Sequence, residues 1–203
     1  MVSSKRHWRA VAKEAEQSRD FARASTAWRM YAEEANDAIA YCSLCRFEIS
    51  MRHWHEAEKA HTMALNIDAG FRMALLMGAV LYLSREDGER IENAQHAKRL
   101  SVEALAIECD VDGLNLLGSA EFMLGHYDDA EIAFQRAIDC DSNNEEAYMN
   151  LGTVYAVKRE FAEAERCVKK ALELDPEYAE ANSCLNRILK DKMAGGPGLT
   201  DSK

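Results

Sequence analysis

The sequence predicts an all-α chain built from stacked helix pairs, and three observations carry that reading. Of 203 residues, 48% are hydrophobic and 30% charged, with only 2 prolines and 10 glycines to interrupt helices, a composition that suits a helical globular protein. A block of sequence recurs at an offset of 34 residues: LGSAEFMLGHYDDAEIAFQRAIDCD from Leu117 aligns without a gap on LGTVYAVKREFAEAERCVKKALELD from Leu151. Within each copy, apolar residues return about every 3.6 positions in two runs broken by a short polar stretch, which reads as helix, turn, helix. Self-similarity at this period marks a helical solenoid.

Each element of the repeat has a physical reason. Leu117 and Gly118 match Leu151 and Gly152; Tyr127 and Ala130 match Phe161 and Ala164; Ala137 matches Ala171. The glycine in the first helix and the alanines in the second let two backbones approach, while Phe134 or Val168 fills the space beside them. Pro176 ends its helix because it cannot donate the next backbone hydrogen bond.

Leu-Gly, then an aromatic, Ala, a large apolar residue, Ala and Pro fall in 145–178 at the spacing of the tetratricopeptide-repeat (TPR) family, which the chain resembles over roughly residues 5 to 192. The frame extends backwards through 111–144 to a middle unit that departs from the pattern by an insertion and two degenerate units before it. Residues 38–71 supply Tyr41, Leu44, Trp54, Ala57, Ala64 and Leu65, with Cys45 at the glycine position and His61 at the bulky one. Residues 5–38 supply Trp8, Val11, Phe21, Ala24, Trp28 and Tyr31. In 71–111, Gly78 to Ala97 is 19 residues where Gly152 to Ala164 is 12, so seven are inserted; they lie within 84–96, and Asp87-Gly88 predicts a longer hairpin tip that projects from the stack. Residues 179–192 put Ala181, Cys184, Leu185, Ile188 and Leu189 on one stripe with a polar opposite face, the pattern of a capping helix. Residues 193–203, rich in glycine, read as a flexible tail. The resemblance implies one domain over 5–192, a TPR-like α-α superhelix of about five helix pairs plus a C-terminal cap.

The formal net charge of −10 disfavours nucleic acid, whose phosphates attract cations. Residues 1–30 reverse the sign, with seven Lys or Arg against three acids. That asymmetry predicts an anionic partner at one end, or head-to-tail contact between copies. No apolar run approaches the ~20 residues of a membrane span, and the N-terminus lacks a signal-peptide core, so a cytoplasmic chain with reduced thiols is expected.

The segment CSLCRFEISMRHWH, residues 42 to 55, carries a CxxC and an HxH. Zinc needs four ligands converging at ~2.0–2.3 Å, and a redox pair wants a helix N-terminus after a strand. In the repeat frame Cys42 and Cys45 lie one turn apart on a helix, Trp54 is the turn aromatic, and His53 and His55 face solvent. Structural packing is therefore the expectation; a metal- or redox-responsive protein is the alternative. Cys140, matching Leu174, is expected in the core. No GxSxG, phosphate-cradling glycine loop or HExxH is present, so no catalytic residue, metal or cofactor is assigned.

The family resemblance implies a non-catalytic interaction module, an adaptor, scaffold or chaperone-like protein that holds a peptide or protein segment in a concave groove lined by the first helix of each pair. Carried over position by position, that face offers Arg6, Arg9 and Lys13 from the first unit, Ile39, Cys42 and Arg46 from the second, and Leu75 and Tyr82 from the third. The fourth gives Asn115 and Phe122, the fifth Met149, Asn150 and Thr153. Such a groove is basic at its N-terminal end and apolar in its middle, suiting a partner with acidic and apolar parts. Tyr82 and Phe122 are the expected aromatic anchors. The carboxylate clamp of chaperone-tail-docking relatives is incomplete: Ser43 stands where Asn is needed and Leu76 where a cation is.

Overall fold

The computed structural model describes residues 4–86 and 88–194. Among them are eleven α-helices and no strand. They fall into two compact units, one ending at Cys109 and the other beginning at Asp110. The first holds α1 (Ser4–Gln17), α2 (Phe21–Ala35), α3 (Ala38–Ser50), α4 (Trp54–Ile67), α5 (Arg72–Ser84) and α6 (Arg90–Ile107). The second holds α7 (Val111–Met123), α8 (Tyr127–Cys140), α9 (Glu145–Val157), α10 (Phe161–Leu174) and α11 (Ala179–Ala194). Odd-numbered helices α1 to α9 each pack on the helix that follows; α11 packs chiefly on α10 and also touches α9. No described helix is long and apolar enough to cross a membrane.

The turn inside each pair is built the same way four times. The backbone N–H of Asp20, His53, His126 and Glu160 donates to the carbonyl five residues back, at 2.9 Å in each case. The residue before each donor is left-handed: Arg19 (φ 55°), Arg52 (φ 60°), Gly125 (φ 80°) and Arg159 (φ 65°). This is a Schellman ending, which caps orphan carbonyls and favours glycine at the left-handed site. Three arginines stand where only one glycine does. Between pairs, Asp68, Asp141 and Asp175 each accept from the N–H two residues on, at 2.9, 2.9 and 3.0 Å, which folds the connection before the next helix starts.

Small-against-large pairing sets the helix crossings. A Cβ on Gly118 would sit 2.7 Å from the Phe134 ring, and one on Gly152 would sit 2.5 Å from Val168 Cγ2 and 3.2 Å from the Ala164 carbonyl oxygen. Both glycines therefore permit a close approach within their own pair. In the first unit Cys45 is fully buried at the corresponding place and His61 is buried at the bulky one.

Gly78 behaves differently from the other two glycines. Its missing Cβ makes room for the His61 ring, on the preceding helix α4. By position within the helices, Ala79 and not Gly78 is the equivalent of Gly118 and Gly152. Counted from Ala79, the insertion before Ala97 is six residues, correcting the expected seven. Two lengthen the connection, which runs from Arg85 to Glu89, and four extend the start of α6, which has 18 residues where α8 and α10 have 14. The insertion is thus mostly an extra helical turn instead of a projecting loop. Gly88 is left-handed (φ 90°) as a turn glycine should be; its expected partner Asp87 lies outside the described residues.

At the C-terminus, Ala181, Cys184 and Ile188 are buried against Ala164, Val168 and Ala171 of α10, with Leu185 partly covered. Leu189 is exposed. Helix α11 runs on through Ala194, so the first two residues of the expected tail are helical; residues 195–203 lie outside the described residues. Cys140 is exposed, not core.

Candidate functional site

Helix α1 carries the basic face. Arg6, Arg9 and Lys13 are all exposed. Among the described residues no acid pairs with them; Arg9 leans over the Tyr31 ring, 5.9 Å from its centroid. Two other basic groups nearby are engaged internally. Arg23 pairs with Glu14 at 3.3 Å, and Arg46 pairs with Glu16 at 3.0 Å while lying 4.8 Å over the Phe47 ring.

Three residues expected to line a groove are not available to a partner. Cys42 and Leu75 are each 2% exposed and Asn115 is 5% exposed. They are buried among the packed helices instead of lying on the surface assigned to them. Asn115 donates to Asn144 Oδ1 at 3.2 Å, tying α7 to the residue that caps α9. Ile39 is exposed, and Phe122, Met149 and Asn150 are half-buried. Tyr82 is half-buried but occupied. Its hydroxyl donates to Glu58 at 3.4 Å, its ring stacks on His96 with centroids 4.8 Å apart, and Arg85 reaches the same Glu58 at 3.3 Å. Tyr155 repeats this in the second unit, donating to Glu131 at 3.0 Å beside Lys158 at 2.7 Å. Burial first, then the Glu131 acceptor, pushes the Tyr155 phenol up to about 12. Both tyrosines act as struts to the preceding helix, a role unlike that of a free anchor.

Glu48 forms a polar centre that lies outside the expected groove. It is 2% exposed, and its carboxylate accepts from Ser25 Oγ at 2.5 Å, Arg29 Nη2 at 2.9 Å and His53 Nδ1 at 2.9 Å. Beside it opens a cleft of about 320 Å³ edged by Met30, Met51 and Glu56. The second unit carries the same couple at the equivalent positions, His126 Nδ1 to Glu121 at 2.8 Å. With Asp129 these two form a trio whose ligand-type atoms lie within 4.8 Å of one another, one donor short of a structural zinc set. A histidine five residues after a helix-borne glutamate is the signal that the sequence offers for this centre.

The thiols of the CxxC are unsuited to thiolate chemistry. Burial pushes Cys42 up to about 12, with Asp37 adding to it, and burial likewise pushes Cys45 up to about 12. A nucleophilic or metal-binding cysteine needs the opposite shift.

The second unit holds the more open cleft, about 550 Å³, walled by α9 on one side and α11 on the other. Met149, Ala179 and Cys184 give it an apolar floor, and Thr153, Ser183, Glu180 and Arg187 give it polar edges. The Thr153 hydroxyl donates to the Met149 carbonyl at 3.1 Å and lies 3.6 Å from Cys184 Sγ, fixing the floor. Of these residues the groove assignment includes Met149 and Thr153 alone. Glu180, Ser183 and Arg187 fall three and four residues apart on the flank of the buried stripe of α11 that carries Cys184, so the sequence holds a signal that the capping role obscures.

Sequence models described as tetratricopeptide repeat match residues 111–144 and 145–178. Over 168 residues, 80% of its length, the chain is 30% identical to human protein O-mannosyl-transferase TMTC3; that stretch spans 17% of the relative. Among solved structures, the chain is similar to TTC0263, a thermophilic TPR protein from Thermus thermophilus, with a TM-score of 0.76 and 17% identity, covering 92% of this chain and 99% of that one. It is also similar to YrrB, described as a TPR protein with an unusual peptide-binding site, with a TM-score of 0.60 and 23% identity over 83% of this chain and 85% of that one. Repeats matched at 111–178, helix pairs in both units and these likenesses together make the chain a tetratricopeptide-repeat protein.

Proposed function

We propose that the chain is a non-catalytic interaction module, an adaptor or chaperone-like scaffold that holds a peptide or protein segment. The observation that carries this is the α9–α11 cleft, which combines an apolar floor and hydroxyl edges with two charged groups, Glu180 and Arg187, that have few internal partners. Ligand sites of this kind pair an apolar lining with a small number of polar groups. The peptide-binding site named for YrrB supports the same reading. On α1, the exposed Arg6, Arg9 and Lys13 suit an acidic stretch of partner, or an acidic face of a second copy. A cytoplasmic setting fits, since buried thiols such as Cys42 and Cys45 stay reduced there.

Pull-down from native lysate with Thr153→Arg, which fills the cleft, tests the module. A partner held there should be lost, with affinity falling about thirtyfold. Arg9→Glu with Lys13→Glu should instead slow association, and the effect should fade at high salt. Partners that survive Thr153→Arg and leave on changing the exposed Ile91 of the inserted turn would move the site to α6.

A further inference from the structure

We propose that the α9–α11 cleft selects a charge pattern: an extended segment whose apolar side chain lies between one basic and one acidic residue, the base over Glu180 and the acid over Arg187. This rests on the peptide-binding reading above and names the ligand class for it. Glu180 and Arg187 both line the cleft and are seven residues apart on α11, two helical turns, so they share a face and are separated by about 10.5 Å along the axis. Among the described residues Glu180 has no ion-pair partner, and the Arg187 guanidinium has only Cys184 Sγ, at 3.9 Å. Two unpaired charges of opposite sign thus bracket the floor of Met149, Ala179 and Cys184.

An extended chain sends alternate side chains to one face, so residues i, i+2 and i+4 face the cleft together and span about 13 Å. That matches the Glu180–Arg187 separation once two long side chains lean inward. The middle residue then meets the floor, where the Met149 thioether adapts to an aliphatic or aromatic group. The rim ion pairs themselves contribute little affinity. Their effect is discrimination, because a segment with two like charges must bring one of them against its own sign.

The test uses the full chain and four fluorescent peptides with identical Gly/Ser flanks around Lys-Ala-Leu-Ala-Asp, Lys-Ala-Leu-Ala-Lys, Asp-Ala-Leu-Ala-Asp and Gln-Ala-Leu-Ala-Asn. The mixed-charge probe should bind about tenfold tighter than either like-charged probe. Glu180→Lys should move the preference to the doubly acidic probe, and Arg187→Glu to the doubly basic one, with helicity unchanged because both residues are exposed. If the four probes bind alike and the two variants leave their ranking as it was, while Thr153→Arg abolishes binding, the charge pattern is wrong and the peptide cleft stands. If no probe binds and lysate partners also ignore Thr153→Arg, both readings fall.

Discussion

The two units solve one packing problem with different chemistry. In the second, a glycine lies under a large apolar residue of its own pair, Gly118 under Phe134 and Gly152 under Val168. In the first, Cys45 replaces the glycine, and His61 spreads over Gly78 of the next pair. The cost of the second solution is polar: His61 Nε2 and Ser101 Oγ are buried without a hydrogen-bond partner among the described residues. What is shared is a volume relation between small and large positions; residue identity is free to drift around it. That explains why sequence models match 111–178, where glycine and apolar bulk are retained, although helix pairs of the same kind fill the first unit.

The largest expected effect breaks the crossing in the second unit. Gly152→Leu must displace Val168 and also presses on backbone, the Ala164 carbonyl oxygen at 3.2 Å and the Val168 nitrogen at 3.3 Å. Overpacking of this kind costs about 1–3 kcal/mol or more, measured by urea unfolding followed by circular dichroism. At Gly118 the nearest atoms all belong to the Phe134 side chain and none to backbone, so Gly118→Leu should cost less. Equal stability of either variant and wild type would remove the crossing from the account.

Gly78→Ala makes the matching test in the first unit. Its Cβ falls on the His61 ring, so a loss of about 1–2 kcal/mol is expected. In the double variant His61→Ala with Gly78→Ala, the glycine change should become nearly neutral, a coupling that a double-mutant cycle reads directly. Independent effects would mean that His61 does not span the two pairs.

Breaking the Glu48 centre is a smaller step. Arg29→Met leaves Ser25 and His53 on a carboxylate that is still buried, and Arg29 itself is 41% exposed, so a loss of about 1–2 kcal/mol is expected. Glu48→Leu, which removes the charge together with its desolvation, should cost less than Arg29→Met; the reverse order would show that the ion pair is net stabilising.

The smallest effect is a pH dependence confined to the end of the second unit. Glu165 accepts from Lys169 at 2.7 Å and from Lys192 of α11 at 2.8 Å, and these two bonds hold it down to about 2 from an ordinary 4.5. A carboxylate depressed in the folded state is more readily protonated when unfolded. Its contribution is therefore complete above pH 4.5 and lost as pH falls toward 2. Lys192→Met should flatten part of that acid limb, seen as a smaller fall in Tm between those pH values.

Much of the fold was legible in residue type and spacing. The 34-residue offset placed a helix pair in each span, and Gly118 and Gly152 announced their crossings, because a missing side chain in a helix has one common use. The turns were only partly legible. Gly125 advertises a left-handed residue; Arg19, Arg52 and Arg159 do not, since nothing in an arginine favours positive φ. Their conformation is imposed by the 2.9 Å bonds that close each turn.

Period and composition by themselves determined the helix pairs, their order and the basic first helix, because these follow from backbone geometry and local side-chain type. Tertiary structure decided which neighbour each face meets. Cys42, Leu75 and Asn115 lie on helices with two or more packed faces, where a 3.6-residue period marks a side as apolar without saying which helix covers it. The frame slip from Gly78 to Ala79 and the Glu48 centre follow from the same ambiguity. So does the double duty of α11: its stripe toward α10 is fixed by hydrophobicity, but its service as a cleft wall depends on where α9 lies, a contact between residues about thirty positions apart that no local pattern encodes.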